Sequence, residues 1–163
     1  MAFILFISFI ILLRVAELLL SKRNEKWLLQ NNAVEYGQKH YPFIVALHVF
    51  FLASLIVEYY AQKPPSYSLF FIGLYFILLA FKAWVIASLG KFWNTKIYHI
   101  ANVPLIKKGP YKYFRHPNYI IVIAEIIVIP LAFHLYYTAF IFTMLNICML
   151  FVRIKEEEKA MEI

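Results

Sequence analysis

Long apolar runs are the feature that most constrains this chain. Residues 2–20, 43–60 and 67–89 carry few charges, and each is close to the roughly 20 residues that a helix needs to cross a hydrocarbon core of about 30 Å. The composition agrees, because 63% of the residues are hydrophobic, only 15% are charged and the mean hydropathy is +0.71. A water-soluble domain is nearer half apolar and a quarter charged. The chain is therefore not expected to be a soluble monomer.

A fourth apolar run covers residues 119–152, in which only Glu125 is charged. Its length would make a helix of about 51 Å, which is too long for one span and too short for two full spans with a turn. We therefore predict a tight hairpin of two short helices that turns within residues 130–137. The whole sequence predicts a single-domain, all-α integral membrane protein of about five transmembrane helices. Three N-terminal helices fall in residues 1–90, and residues 91–163 hold a loop, the hairpin and a tail.

The segments that connect the predicted helices are alternately rich and poor in lysine and arginine. The two rich connections hold Lys22, Arg23, Lys26 and Lys39 after the first helix, and Lys91, Lys96, Lys107, Lys108, Lys112 and Arg115 after the third. The tail is also basic in part, whereas the connection after the second helix holds only Lys63 and the hairpin turn holds no basic residue. Since basic connections stay in the cytoplasm, we predict an N-terminus outside and a C-terminus inside. The net charge of +7 then reports topology, and no nucleic-acid partner is expected.

Glycine and cysteine usage excludes several other classes. Four glycines, at positions 37, 73, 90 and 109, cannot form a glycine-rich nucleotide-binding loop. Cys148 is the one cysteine and lies in an apolar run, so neither a disulfide framework nor a cysteine-based metal site is expected. His48 and His134 have no neighbours at metal-ligand spacing. We predict no metal site.

The segment Gly109-Pro-Tyr-Lys-Tyr-Phe-Arg-His-Pro-Asn-Tyr119 concentrates reactive side chains just before the fourth helix. Its initial Gly-Pro indicates a turn, and Pro117 suits the first turn of the helix. Arg115 and His116 would then project at the helix N-terminus, where a cation and backbone N–H groups can hold a carboxylate. The alternative is a basic, aromatic collar that touches lipid headgroups.

The tail after the fifth helix carries a second cluster, Arg153-Ile-Lys-Glu-Glu-Glu-Lys-Ala-Met161. On a continuing helix Arg153 and Glu157 lie four residues apart and share a face. Glu157 can then meet Arg153 or an external cation, and the simpler alternative is a solvated helix end. The two clusters together supply groups for a carboxylate and an ammonium, with tyrosine rings for a sulfonium or an adenine. A zwitterionic amino-acid cofactor requires that combination.

These motifs carry a family resemblance. Gly-Pro-Tyr, Arg-His-Pro-x-Tyr, an apolar hairpin with Glu125 and Pro130-Leu131, and an Arg followed by a Glu cluster occur in the order found in the isoprenylcysteine carboxyl methyltransferase family. The resemblance covers residues 103–162. The N-terminal half is similar to a short bacterial branch associated with O-methylation of long-chain alkylpyrones or alkylresorcinols. Its matching motifs are Arg14-Val-Ala-Glu17, Ser21-Lys-Arg-Asn24, Glu35-Tyr-Gly37 and His40-Tyr-Pro42.

The resemblance implies S-adenosylmethionine as cofactor, held in a cytoplasmic pocket between the loop before the hairpin and the tail. Carried over by motif, with Arg115 added from its position, the cofactor-binding residues would be Tyr111, Arg115, His116, Pro117, Asn118, Tyr119 and Glu157, with a less similar stretch at Val103, Pro104, Leu105 and Ile106. Arg153 would face the substrate oxygen, and His116 would be the candidate base if that oxygen is phenolic. A bacterial cell membrane, with the active site facing the cytoplasm, is the implied location.

Several functions compete at this stage. The leading one is an O-methyltransferase for a lipophilic acceptor that enters from the bilayer, with an enol, phenol or carboxylate oxygen. A phospholipid or amine N-methyltransferase is the alternative within enzymes. A transporter or assembly subunit is the non-enzymatic one, in which intramembrane charges would form a polar pathway; those charges are Arg14, Glu17, Lys82 and Glu125. We expect Arg14 to pair with Glu17, and Glu125 either to bind substrate in the cavity or to pair with Lys82. The oligomeric state stays open.

Overall fold

The computed structural model describes residues 1–64, 66–101, 103–104 and 106–161, and it is a bundle of five helices with a two-stranded sheet at one end. The helices are α1 (Ala2–Gln30), α2 (Tyr41–Gln62), α3 (Leu69–Leu89), α4 (Pro117–Leu131) and α5 (Tyr136–Met161). Four of them are long and apolar enough to cross a membrane, and α4 is shorter. The predicted all-α membrane fold and its five helices are confirmed.

The first helix continues well beyond its apolar run. Residues 21–30 add almost three turns, because Ser21, Asn24 and Leu28 recur at helical spacing and are buried against the bundle. Lys22 and Lys26 lie on the exposed face of the same turns. The apolar run predicted at residues 2–20 lies within α1, and the helix continues to Gln30 because its hydropathy marks an apolar segment and not the end of the helix.

The predicted hairpin is confirmed. Helix α4 ends at Leu131, directly after Pro130, and α5 begins at Tyr136. Its 15 residues make α4 about 22 Å long, which is shorter than a hydrocarbon core of about 30 Å. Helix α4 is therefore the one helix of the five that is shorter than a hydrocarbon core.

Four charged side chains join α1, α3 and α4 inside the bundle. Arg14 donates to Glu17 and to Glu125, each at 2.8 Å, and Lys82 lies 3.2 Å from Glu125 and also pairs with Glu17. Both predicted pairs are present, and they form one cluster. Two positive and two negative charges balance one another, which offsets the large cost of burying each charge alone.

The connections that follow α1 and α3 meet at one end of the bundle. Strand β1 (Val34–Tyr36) pairs in antiparallel fashion with β2 (Ile97–His99), so that Glu35 lies opposite Tyr98. Gly37 directly follows β1 and lies close to α5, because a Cβ atom at that position would be 3.5 Å from Glu156 Cβ, an ordinary van der Waals contact. We call this end, which holds residues 31–40, 90–101, 103–104, 106–116 and the last turns of α5, the polar end. The two basic connections and the tail therefore share one face of the bundle.

A hydrogen-bonded cluster fixes the sheet to α1. Lys96 and Tyr98 both donate to Glu25 Oε1, at 2.8 and 2.7 Å. Hydrogen bonding to Glu25 raises the pKa of Lys96. Burial, reinforced by the hydrogen bond to Glu25, raises the pKa of Tyr98. Both groups therefore hold their protons more strongly in the folded protein than in the unfolded chain.

Candidate active site

A cavity of about 150 Å³ opens at the polar end, between the end of α3 and the facing ends of α4 and α5. Leu89, Phe92 and Trp93 line it from the end of α3, and Ile97, Tyr98 and His99 from β2. Asn94 and Lys96 lie between these two groups, and the other walls come from the two sequence clusters, through Tyr111, Arg115, His116, Asn118, Tyr119, Arg153 and Glu157. The cavity therefore brings both predicted clusters to one place.

The Gly-Pro turn sets the position of Tyr111. Gly109 has a φ of 54°, and a side chain there would collide with Ser88 near the end of α3. Only glycine allows the connection to pack this closely, and the buried Pro110 follows at once. Tyr111 then lines the cavity, where burial and the nearby Glu157 carboxylate raise the pKa of its hydroxyl. The turn thus holds a neutral phenol against the site.

The start of α4 brings His116, Asn118 and Tyr119 to the cavity wall. Pro117 occupies the first helical position, where no backbone N–H is needed, and His116 is the residue that precedes it. The His116 and Tyr119 rings are nearly parallel, with centroids 5.2 Å apart. The predicted helix start at Pro117 is confirmed. Pro117 itself is buried beneath the site and does not line the cavity.

Tyr119 joins Arg153 and Glu157, two of the charged residues of α5. Arg153 Nε donates to the Tyr119 hydroxyl oxygen at 3.0 Å, and that hydroxyl donates to Glu157 Oε2. His116 Nδ1 lies 3.5 Å from the same carboxylate oxygen. Arg153 and Glu157 share a helix face as predicted, but they are connected through a phenol and make no direct ion pair.

The guanidinium of Arg153 also binds a backbone carbonyl. Arg153 Nη2 donates to the Thr95 carbonyl oxygen at 2.6 Å. The Thr95 N–H in turn donates to Ser21 Oγ at 3.1 Å, and Asn24 Nδ2 donates to Trp93 O at 2.7 Å. The extension of α1 therefore fixes the segment that positions Arg153. Within the described residues no carboxylate lies within 4 Å of its guanidinium, so the positive charge has no carboxylate in direct contact and meets Glu157 only through the Tyr119 hydroxyl.

Residues 93–95 also belong to the site, although the sequence did not predict them there. Trp93 and Asn94 line the cavity, and the Thr95 carbonyl anchors Arg153. The available signal was the pair Ser21 and Asn24, two uncharged polar residues three apart on the inward face of α1, beyond its apolar run. Their side chains bind the missed segment.

Two buried polar atoms among the cavity residues lack partners in the described part of the chain. They are Trp93 Nε1, a donor, and Asn118 Oδ1, an acceptor. Buried polar groups are nearly always hydrogen-bonded, because an unpaired one costs about 1–3 kcal/mol. Both residues line the cavity. A ligand that offers an acceptor and a donor would satisfy them.

The other predicted site residues lie elsewhere. Arg115 borders the cavity but is exposed, with its guanidinium 3.5 Å from Glu158. Val103, Pro104 and Ile106 do not line the cavity, and Leu105 lies outside the described residues. Glu125 lies in the charged cluster with Arg14 and Lys82. Substrate binding by Glu125 stays a prediction, although its side chain is absent from the cavity wall.

Comparisons with known proteins identify the family of the chain. The model of the isoprenylcysteine carboxyl methyltransferase family matches residues 71–163, which include every residue of the cavity wall. YpbQ of Bacillus subtilis, an uncharacterized protein, is 40% identical over 98% of this chain and 96% of its own length. An uncharacterized protein of Haemophilus influenzae is 34% identical over 93% of this chain and 90% of its own length. No solved structure matches the chain. The chain therefore belongs to the isoprenylcysteine carboxyl methyltransferase family of membrane methyltransferases.

Proposed function

We propose that the protein is an S-adenosylmethionine-dependent O-methyltransferase whose acceptor is a lipophilic molecule of the bilayer. The acceptor oxygen would belong to an alkylpyrone or alkylresorcinol type of hydroxyl, or to an isoprenylcysteine type of carboxylate. The observation that carries the proposal is the connection of Arg153 to Glu157 through Tyr119. It offers a carboxylate for the cofactor and, at its other end, a cation with no carboxylate partner in the described part of the chain.

The residues of the cavity fit S-adenosylmethionine. Glu157 can accept hydrogen bonds from an ammonium group, and Arg115 and His116 at the start of α4 can hold a carboxylate. Trp93 Nε1 and Asn118 Oδ1 supply the unpaired donor and acceptor that further polar atoms of the cofactor need. When bound, this cofactor supplies a methyl group on a sulfonium, whose sulfur leaves as a neutral thioether as an acceptor oxygen bonds to the methyl carbon.

Arg153 orients the acceptor. A guanidinium stays protonated in proteins, so it attracts an anionic oxygen and cannot remove a proton. A carboxylate or an acidic enol is already ionised near neutral pH and needs only this guidance. A phenol has a pKa of about 10 and must lose its proton. His116 Nδ1 faces Glu157, which leaves His116 Nε2 as the atom that takes the phenolic proton.

The short fourth helix supports an acceptor from the bilayer. Because α4 is about 22 Å long and a hydrocarbon core is about 30 Å, the start of α4, with His116 and Tyr119, would lie near the hydrocarbon boundary when the hairpin turn lies at the opposite interface. Tyr113 and Phe114 precede it and are exposed, as aromatic residues at a membrane interface are. A lipophilic molecule can then reach the cavity without leaving the membrane.

The competing functions have less support. An amine acceptor would place an ammonium beside the Arg153 guanidinium, and the two cations would repel each other. A polar transport pathway through the intramembrane charges would need groups that exchange partners readily. All four side chains of that cluster are instead paired with one another. A labelling experiment with a lipid extract distinguishes O-methylation from N-methylation.

The acceptor class is tested with purified protein in detergent, S-adenosylmethionine labelled on its methyl group, and a bacterial lipid extract. We expect label in neutral phenolic, pyrone or acidic lipids. Treatment with base then distinguishes the products, because a methyl ether keeps the label and a methyl ester releases it. Label in phospholipid headgroups would favour N-methylation. The absence of both labelling and cofactor binding would overturn every enzymatic proposal.

The site is tested with matched variants of α5. Glu157→Gln should weaken S-adenosylmethionine binding about tenfold or more, as expected when a charge-assisted hydrogen bond is lost. Glu158→Gln is the control, because Glu158 pairs with exposed Arg115 and does not line the cavity. Arg153→Lys should lower kcat with little change in cofactor affinity. Equal cofactor affinity in Glu157→Gln and wild type would contradict the assignment.

A further inference from the structure

Three exposed lysines, Lys107, Lys108 and Lys112, lie close together in the connection between α3 and α4. We call them the lysine surface. In the described part of the chain no carboxylate lies within 4 Å of any of them, whereas the nearby Arg115 has Glu158 at 3.5 Å. Like charges that are this close in the chain repel one another, and a bound anion would relieve the repulsion.

The packing of Gly109 relates the lysine surface to the apolar surface of the bundle. A Cβ atom at Gly109, which follows Lys108, would lie 3.1 Å from Trp84 Nε1. Trp84 is exposed near the end of α3, a helix long and apolar enough to cross a membrane, and Ile120 is exposed in the first turn of α4. Tryptophan at the end of an apolar helix with basic residues beside it is typical of the boundary between hydrocarbon and headgroups. The lysine surface would then lie at the level of the headgroups.

One short turn joins the lysine surface to the cavity. Gly109–Lys112 form a single turn of 3-10 helix, and the N–H of Tyr111 donates to the Lys108 carbonyl oxygen at 3.1 Å. Tyr111 lines the cavity, whereas Lys108 and Lys112 on either side of it are exposed. An anion that binds both lysines therefore also restrains the turn that presents Tyr111 to the cofactor.

Building on the proposed function, we propose that the lysine surface binds the phosphate of an anionic phospholipid headgroup, and that this binding increases the affinity of the cavity for S-adenosylmethionine. A phosphate accepts charge-assisted hydrogen bonds from ammonium groups. A zwitterionic headgroup carries an ammonium of its own, which three lysines would repel, so the ligand is a lipid with a net negative charge. The protein would then be most active in a leaflet rich in anionic lipid.

This assignment also reconciles the two uses that the sequence left open for the segment from Gly109 to Tyr119. Tyr111 and His116 face the cavity, and Lys108 and Lys112 are exposed to the surroundings. A cofactor site and a headgroup contact therefore coexist in one segment, on its two sides.

The headgroup preference is tested by lipid retention. The protein is extracted in a mild detergent from vesicles that contain equal amounts of phosphatidylglycerol and phosphatidylcholine, and native mass spectrometry counts the bound molecules of each lipid. Wild type should retain mainly phosphatidylglycerol. The triple variant Lys107→Gln, Lys108→Gln, Lys112→Gln should lose at least about fivefold of that preference, the effect expected from a single basic residue near an anionic leaflet.

A second triple variant is the control. Lys22→Gln, Arg23→Gln, Lys26→Gln removes three exposed cations from α1, none of which lines the cavity, and it should keep the preference of wild type. Arg115 stays native in every protein, because it borders the cavity. An equal loss in the two triple variants would overturn the lysine surface as a site, since the total surface charge would then account for retention.

The link to the cofactor is tested in nanodiscs of phosphatidylcholine with and without phosphatidylglycerol. The Kd of S-adenosylmethionine should fall about fivefold with phosphatidylglycerol in wild type and in the α1 variant, and should not change in the lysine variant. A gain common to all three proteins would reflect attraction of the cationic cofactor to the bilayer and would refute the link. So would an unchanged Kd in wild type.

Inorganic phosphate, added to the phosphatidylcholine nanodiscs, distinguishes a lipid from a soluble anion. An equal fall in Kd with inorganic phosphate would overturn the assignment to a headgroup. Failure of wild type to bind S-adenosylmethionine in either bilayer would instead refute the proposed function and the link that rests on it. Lipid retention would still decide, by itself, whether the lysine surface binds anionic headgroups.

Discussion

Arg153 Nε donates to the Tyr119 hydroxyl oxygen at 3.0 Å, which places a phenol between the guanidinium of α5 and the Glu157 carboxylate. The Arg153 guanidinium also lies over the Tyr119 ring, 5.4 Å from its centroid. A residue on α4 therefore fixes the two charged groups of α5 to which we assign different ligands. A ligand that moves the Tyr119 hydroxyl from the Glu157 side therefore also changes the position of Arg153, and the reverse holds for a ligand bound at Arg153.

Removing that hydroxyl should affect both sides of the reaction. Tyr119→Phe keeps the ring and its stacking on His116 but deletes two hydrogen bonds to charged groups, each worth about 1.5–3 kcal/mol. We expect kcat/KM to fall about tenfold or more and cofactor affinity to weaken. Tyr113→Phe is the control, because Tyr113 is exposed and outside the cavity wall. Steady-state kinetics and calorimetric titration of the cofactor measure the two effects, and wild-type values for Tyr119→Phe would contradict the linking role.

The sequence was informative wherever local chemistry decides the outcome. Apolar runs located the helices, Pro130 marked the hairpin, and Pro117 marked the start of α4. The two clusters around His116 and Glu157 proved to be neighbours in space, although the chain between them forms a whole hairpin. Each of these features depends on residue type and spacing within a few turns.

The rotation of each helix about its own axis, which decides the buried face, could not be predicted from residue type and spacing. In a membrane both lipid and core are apolar, so hydropathy does not tell which face of a helix is buried. Phe50 and Phe51 are adjacent and chemically identical, yet one is 66% exposed and the other 3%. The joining of Arg14, Lys82 and Glu125 into one cluster depends on those rotations. So does the approach of Ser21 to Thr95, which is why residues 93–95 were missed.

The intramembrane cluster should show strong coupling between its members. Lys82→Met or Glu125→Leu alone leaves an unbalanced buried charge and should reduce the free energy of unfolding by about 3–5 kcal/mol. The double variant removes one charge of each sign, leaves the Arg14–Glu17 pair, and should lose much less than the sum. Thermal unfolding in detergent, followed by circular dichroism, measures all three. Additive losses would show that the cluster does not act as a unit.

Tyr98 and Lys96, which bind Glu25 at the polar end, should lose their protons only at unusually high pH. A raised folded-state pKa means that Tyr98 contributes stability below about pH 10, its ordinary value, and that this contribution is lost as the pH rises above it. Lys96 shifts in the same direction and reinforces the effect. Tyrosinate absorbance of wild type and Tyr98→Phe should therefore coincide through about pH 10.5 and diverge only above it. A difference already present near pH 10 would show that Tyr98 is not held in its protonated form.

The start of α5 should depend on a carboxylate from another helix. Glu58 of α2 accepts hydrogen bonds from the Tyr137 and Thr138 N–H groups, at 3.1 and 2.7 Å, and so supplies the cap that the helix does not provide itself. Glu58→Ala should cost about 2 kcal/mol, because both the hydrogen bonds and the favourable interaction with the helix dipole are lost.

Gln62→Ala is the control for this cap, since Gln62 contacts the Glu58 carboxylate but none of the capped N–H groups. We expect it to change the unfolding temperature little. Hydrogen exchange gives the specific readout: in Glu58→Ala the amides of residues 137 and 138 should exchange faster, while those near Arg153 at the other end of α5 keep their protection. Faster exchange along the whole of α5 would show that Glu58 stabilises the packing of the helix and does not act as a local cap.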